Sequence, residues 1–150
     1  MPAYKSISKA VASCFYIGYI PLAPGTFGSF AGLVFMWVTK PDYLQQVFII
    51  IAFFILGVIS SQLAEKEFAQ SDSPRIVIDE FVGYLISMAF LPLTVGYMIS
   101  AFFLFRFFDI LKPSPVKIVE KHFHGGLGVM LDDVAAGVFT NLILQCWRLL

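Results

Sequence analysis

The sequence predicts an all-α fold: a polytopic membrane helical bundle of about four to five membrane-embedded helices, with a short or broken helix pair around Pro92–Gly96. Three observations predict it. The 150 residues are 59% hydrophobic and only 13% charged, against about 45–50% and about 25% in average soluble domains. Apolar runs near the ~20 residues that cross a bilayer are separated by Pro, Gly and charged breaks. Lys and Arg are shared unevenly between the connecting segments, as the positive-inside rule describes. The length suits one domain over residues 1–150, without internal repeats or low-complexity segments.

The elements follow from the breaks. Lys5 and Lys9 are not followed by an apolar run with a small-residue cleavage site, so no removable signal peptide is expected. The first apolar stretch runs from about Phe27 to Val38. Its backward extension from Gly18 to Gly25 holds Pro21 and Pro24, which remove donors and bend the entry. Lys40-Pro41-Asp42 marks a turn. Tyr43 to Gln62 is long enough to span. Ala64 to Arg75 is polar, and Ser71-Asp72-Ser73-Pro74 reads as a turn before a helix start. Ile76 to Phe108 is too long for one span and short for two. Pro92 and Gly96 divide it into two short helices, roughly Ile76–Leu91 and Val95–Phe108. A loop follows over Asp109–Leu127, with Lys112, Lys117, Lys121, His122 and His124. The last helix covers about Gly128–Leu149.

This parse can be tested against charge. With a cytoplasmic N-terminus, eight cations (Lys5, Lys9, Lys66, Arg75, Arg106, Lys112, Lys117, Lys121) face the cytoplasm and two, Lys40 and Arg148, face outward. Splitting the long stretch at Pro92 also returns Arg106 and Asp109 to the face that bears Asp79 and Glu80. The net charge of zero gives no bulk field for nucleic acid. Cys14 and Cys146 have no CxxC or zinc spacing and read as small apolar residues.

Five of the ten acidic residues, Asp79, Glu80, Asp109, Asp132 and Asp133, lie within or at the edge of apolar segments. A carboxylate at the centre of a membrane helix costs about 2.5–3.5 kcal/mol on insertion scales. Something must offset that. Helix capping is one account of the Asp79-Glu80 and Asp132-Asp133 pairs, because the dipole favours acids at an N-terminus. Asp109 sits at a helix C-terminus, where the dipole opposes it, and a salt bridge to Arg106 three residues earlier is its simpler account. The other account is a metal site. Hard oxygen ligands from separate helices suit magnesium, and Arg106 and Lys112 suit a phosphate. Gly25-Thr26-Phe27-Gly28-Ser29 opens the first helix, where Thr26 and Ser29 could bind an anion. The same residues equally suit a cap with close helix packing. Gly125-Gly126-Leu127-Gly128 is either a backbone approach to phosphate or a flexible turn. His122 and His124 read as solvated interfacial residues, with proton transfer as the alternative. Neither cysteine is followed by Arg at phosphate-loop spacing. There is no Asp-x-Asp pair and no Ser-Gly-His type motif.

Four blocks taken together carry a family resemblance. They are Gly25-Thr26-Phe27-Gly28-Ser29, Val77 to Gly83 with Asp79-Glu80, Phe105 to Pro113 with Arg106, Asp109 and Lys112, and His124 to Gly137 with Asp132-Asp133. In this order, over roughly residues 18–145, the sequence resembles phosphatidylglycerophosphatase A. The resemblance implies a bacterial inner-membrane enzyme, multi-pass with its site toward the cytoplasm. It would use magnesium to hydrolyse phosphatidylglycerophosphate to phosphatidylglycerol and phosphate in phospholipid biosynthesis. No protein partner is implied. The expected metal ligands are Asp79, Glu80, Asp132 and Asp133. Asp79 and Asp109 are the expected catalytic acids; Arg106 and Lys112 neutralise the phosphoryl group, and Thr26 and Ser29 orient the headgroup. A non-catalytic ion-binding or transport protein is the alternative, although its acids would belong near the midplane. A lipid phosphotransferase lacks its Asp-Gly and Ala-Arg signature here.

Overall fold

A computed structural model describes residues 3–150, except the side chains of residues 3, 4, 115 and 120. The described residues form seven α-helices and no strands: α1 (Ala3–Ala12), α2 (Pro24–Thr39), α3 (Tyr43–Phe68), α4 (Ile78–Ser87), α5 (Val95–Leu111), α6 (Ser114–His122) and α7 (Gly125–Leu149). A short 3-10 turn at Ile17–Tyr19 links α1 to α2.

α3 and α7 are long and apolar enough to cross a membrane, at 26 and 25 residues. Only 22% of the apolar window of α3 is buried. Phe48, Ile51, Ile55 and Ile59 face outward on it, as do Ile99, Phe103 and Phe107 on α5. A belt of large apolar side chains this extensive is not sustained in water, so the chain associates with a membrane.

α4 forms the centre of the bundle, packing most extensively against α7 and then α2. Its contacts with α7 fall in one register. Asp79 faces Asp133, Gly83 faces Gly137, and Ser87 accepts a hydrogen bond from Asn141 at 3.0 Å. Each pair lies one four-residue turn beyond the last, so the two helices run parallel. Gly83 and Gly137 allow the close crossing: a Cβ on Gly137 would lie 2.5 Å from the Gly83 carbonyl oxygen. α2 lies parallel on the other side of α4, with Gly28 against the Val77 carbonyl and Gly32 against that of Phe81. α3 and α5 run antiparallel to these three. Gly126 meets Val58 and Gln62 while Met130 meets Gly57, and the Tyr84 hydroxyl donates to the Met98 carbonyl at 3.0 Å.

The expected break at Pro92–Gly96 is present, and its exposed carbonyls are satisfied by α7. Asn141 and Gln145 donate to Ala89, and Arg148 to Phe90. Several boundaries move. α3 continues past Gln62 to Phe68, into the first part of the polar stretch Ala64–Arg75. Glu65, Lys66 and Glu67 are good helix formers, and Glu67 pairs with Lys5 of α1 at 2.9 Å. The loop expected over Asp109–Leu127 contains α6. α7 begins at Gly125 rather than Gly128, and α1 was not expected. The eight cations assigned to one side do gather at one end of the bundle, and Lys40 and Arg148 lie at the other.

Candidate active site

The cation-rich end collects the acids. Asp79 and Glu80 occupy the first turn of α4, where the dipole favours negative charge. Asp133 reaches them from α7, and one carboxylate oxygen from each of the three lies within 4.8 Å of the others. The first turn of α7 holds no acid. Asp132 and Asp133 are its eighth and ninth residues, so capping does not account for them. Asp79 and Asp133 are 7% and 4% exposed. Asp79 Oδ1, Glu80 Oε2 and Asp133 Oδ2 are buried with no hydrogen-bond partner among the described residues. Buried, unpaired carboxylate oxygens are costly, and three together repel. The all-oxygen donor set fits a small, hard divalent cation, which would remove both costs.

The cations stand around this cluster. Arg106, on the last turns of α5, forms an ion pair with Asp109 one turn on. Both lie within electrostatic reach of Glu80 and Asp133. Arg106 Nε is buried and unpaired. Lys112 closes α5 in the left-handed conformation at φ 43°. Pro113 follows it and prevents the helix from continuing. Lys112 Nζ lies 2.5 Å from Asp132 Oδ2. Neighbouring helical residues point about 100° apart, which turns Asp132 to Lys112 and Asp133 to Asp79. The structure thus brings together Asp79, Glu80, Asp133, Arg106 and Asp109, and sets the Asp132–Lys112 pair beside them.

The N-terminus of α2 abuts the same place. A Cβ on Gly25 would meet Glu80 Oε1 and lie 3.2 Å from Arg106 Nη2. Thr26 is in this first turn and half-buried. Ser29 is fully buried, and its hydroxyl donates to the Gly25 carbonyl at 3.0 Å. That bond holds the α2 backbone rather than presenting the hydroxyl to the cluster. The Cys14 thiol is pushed up to about 12 by burial, then by Glu80, which removes it as a thiolate nucleophile. His122 and His124 are exposed. Gln62 was not singled out by sequence. Its Oε1 accepts from Gly126 N–H at 2.9 Å, tying α3 to the start of α7. The Gly125-Gly126 pair signalled a close approach without naming what approaches.

Fold and site together define a membrane-associated helical protein with a buried carboxylate cluster beside Arg106 and the Asp132–Lys112 pair, chemistry suited to a phosphorylated ligand. The comparisons with known proteins are more specific. The family model for phosphatidylglycerophosphatase A matches residues 10–148. The chain is 37% identical over 138 residues to a phosphatidylglycerophosphatase A of Haemophilus influenzae, covering 88% of this chain and 85% of the relative. It is 32% identical to one of Escherichia coli, covering 96% and 91%. It is also 33% identical to a Bacteroides thetaiotaomicron protein provisionally named phosphatidylinositol-3-phosphatase, covering 92% and 91%. No solved structure matches significantly. The chain belongs to the phosphatidylglycerophosphatase A family, and is an enzyme of the phosphatase class.

Proposed function

We propose that this chain is a magnesium-dependent phosphatidylglycerophosphatase of the bacterial inner membrane. It would release inorganic phosphate from phosphatidylglycerophosphate and leave phosphatidylglycerol for phospholipid biosynthesis. The observation that carries this reading is the carboxylate cluster of Asp79, Glu80 and Asp133 beside Arg106, in which each acid has a buried oxygen without a hydrogen-bond partner among the described residues. Family membership supports the lipid named.

In this reading Asp79, Glu80 and Asp133 hold the ion, which when bound polarises a phosphoryl oxygen and lowers the pKa of bound water. Arg106 directs its planar fork at the phosphate oxygens and is itself oriented by Asp109. Asp109 is also assigned the role of taking a proton from an attacking water. Asp132 anchors Lys112 as a point charge beside the phosphate. The positive end of α2, with Thr26, faces the headgroup. Catalysis then rests on positioning and on charge stabilisation. The apolar belt supports embedding of α2, α3, α4, α5 and α7, with the cation-rich end toward the cytoplasm.

The test is phosphate release by the purified protein from a panel of lipid phosphomonoesters: phosphatidylglycerophosphate, phosphatidylinositol 3-phosphate and phosphatidic acid, with and without magnesium. Magnesium-dependent release, fastest from the first, is expected. Release from none overturns the reading, and fastest release from the inositol lipid reassigns the headgroup.

A further inference from the structure

α2 and α3 are consecutive antiparallel helices joined only by Lys40-Pro41-Asp42. Such neighbours ordinarily pack along their length, but here α2 packs chiefly on α4, while α3 packs chiefly on α1 and α7 and less on α4. A cleft of about 840 Å³ opens between them. Its floor is Phe81 of α4, which meets Phe35 of α2 and Phe53 of α3 with ring centroids 5.6 and 5.1 Å away. Its walls, including Phe27, Val34 and Leu56, are apolar, and Thr39 at the far end is the one hydroxyl among the lining side chains.

We infer that this cleft holds one acyl chain of the lipid substrate, alongside the site that binds its headgroup. The inference rests on the lipid-phosphatase reading above and adds where the hydrocarbon part goes. Two features single out an acyl chain. The first is length. From Phe27 to Val38 the α2 wall rises about 16 Å at ~1.5 Å per residue, close to half of a ~30 Å hydrocarbon core, the depth of one leaflet. The second is continuity with the acid cluster. Ile78 lines the cleft and directly precedes Asp79 and Glu80 on α4. Cys14 roofs the same end and lies within the field of Glu80. A chain entering there descends into the leaflet while its phosphate stays beside Arg106. The backbone of the roof is set for this role: Cys14, Phe15 and Tyr16 are successively left-handed at φ 46°, 54° and 70°, which folds the chain back over the end of α2.

Two measurements test the inference, and the first needs no turnover. The full-length protein in nanodiscs is illuminated with a phosphatidic acid carrying a diazirine midway along one acyl chain, and the adducts are mapped. Adducts concentrated on the cleft walls near Ala31, Val34 and Phe53, and reduced at least five-fold by excess unlabelled phosphatidic acid, are expected. Adducts spread over Phe48, Ile55 and Phe103, with no competition, overturn the inference, because the cleft is then ordinary lipid-facing surface. The second uses Ala31→Trp to fill the cleft. The ratio of kcat/KM for a sixteen-carbon over a six-carbon substrate should fall at least ten-fold, through KM for the long-chain lipid. An unchanged ratio overturns it, whether or not both rates drop. Failure of the phosphatase reading itself would show separately, as wild-type protein that labels in the cleft but releases phosphate from neither lipid.

Discussion

Replacing Gly137 with Ala is expected to damage catalysis from one helical turn away. The Cβ would lie 2.5 Å from the Gly83 carbonyl oxygen and 3.2 Å from Ile86 Cβ. The first neighbour is α4 backbone, which cannot rotate aside as a side chain can. Ordinary contact begins near 3.4 Å, so α4 and α7 must separate by about 0.9 Å at their crossing. Asp133 is one turn before Gly137 and Asp79 one turn before Gly83, so most of that displacement reaches the carboxylate cluster. A misplacement of about 1 Å can lower turnover about 100-fold, and overpacking destabilises by about 1–3 kcal/mol. The assay is kcat for phosphate release at saturating magnesium, measured beside thermal unfolding in the same detergent. The control is Gly96→Ala, where nothing lies within 4 Å and activity should be unchanged. Near-normal kcat in Gly137→Ala would refute the idea that the glycine crossing sets the spacing of the acids.

Three more outcomes follow from the same geometry. Asp133→Asn should lower phosphate release at least about 100-fold while the protein still inserts and purifies. Bound metal supplies several kcal/mol of transition-state stabilisation, and each ~1.4 kcal/mol is tenfold. Arg106→Lys should lower kcat about ten-fold or more, because an ammonium cannot reproduce the fork that meets both Asp109 and a phosphate; steady-state kinetics across substrate concentrations checks this. Asn141→Ala removes donors to the Ser87 and Ala89 carbonyls at the α4–α5 turn. It should lower unfolding stability by about 1–3 kcal/mol, with kcat near normal well below the melting temperature.

Much of this organisation is legible in the sequence because it follows from local chemistry. The Pro92–Gly96 break and the Lys40-Pro41-Asp42 turn before α3 are written in adjacent residues, whereas α5 runs on to Leu111, past the expected end near Phe108. The acids also stood out, because isolated carboxylates in apolar segments demand an explanation. What the sequence does not show is which of two adjacent acids points where. Asp132 and Asp133 look equivalent in a row of letters, but the rotation along α7 gives one to Lys112 and the other to Asp79. Ser29 is a similar case: its spacing suggested a headgroup contact, and its hydroxyl is bonded inside α2. α6 was missed because Ser114–His122 is only nine residues long; it packs against α7. The α2–α3 cleft has no local signature, since it arises where two consecutive helices both rest on α4 and pack little on each other.

If Asp79, Glu80 and Asp133 form a divalent-cation site, Mn²⁺ should bind there in place of magnesium, as followed by electron paramagnetic resonance on the purified protein in nanodiscs. Saturable Mn²⁺ binding is expected, competed away by magnesium and reduced at least ten-fold by both Asp79→Asn and Asp133→Asn. Binding of wild-type strength in both variants, or none in the wild type at millimolar Mn²⁺, would contradict a divalent-cation site there.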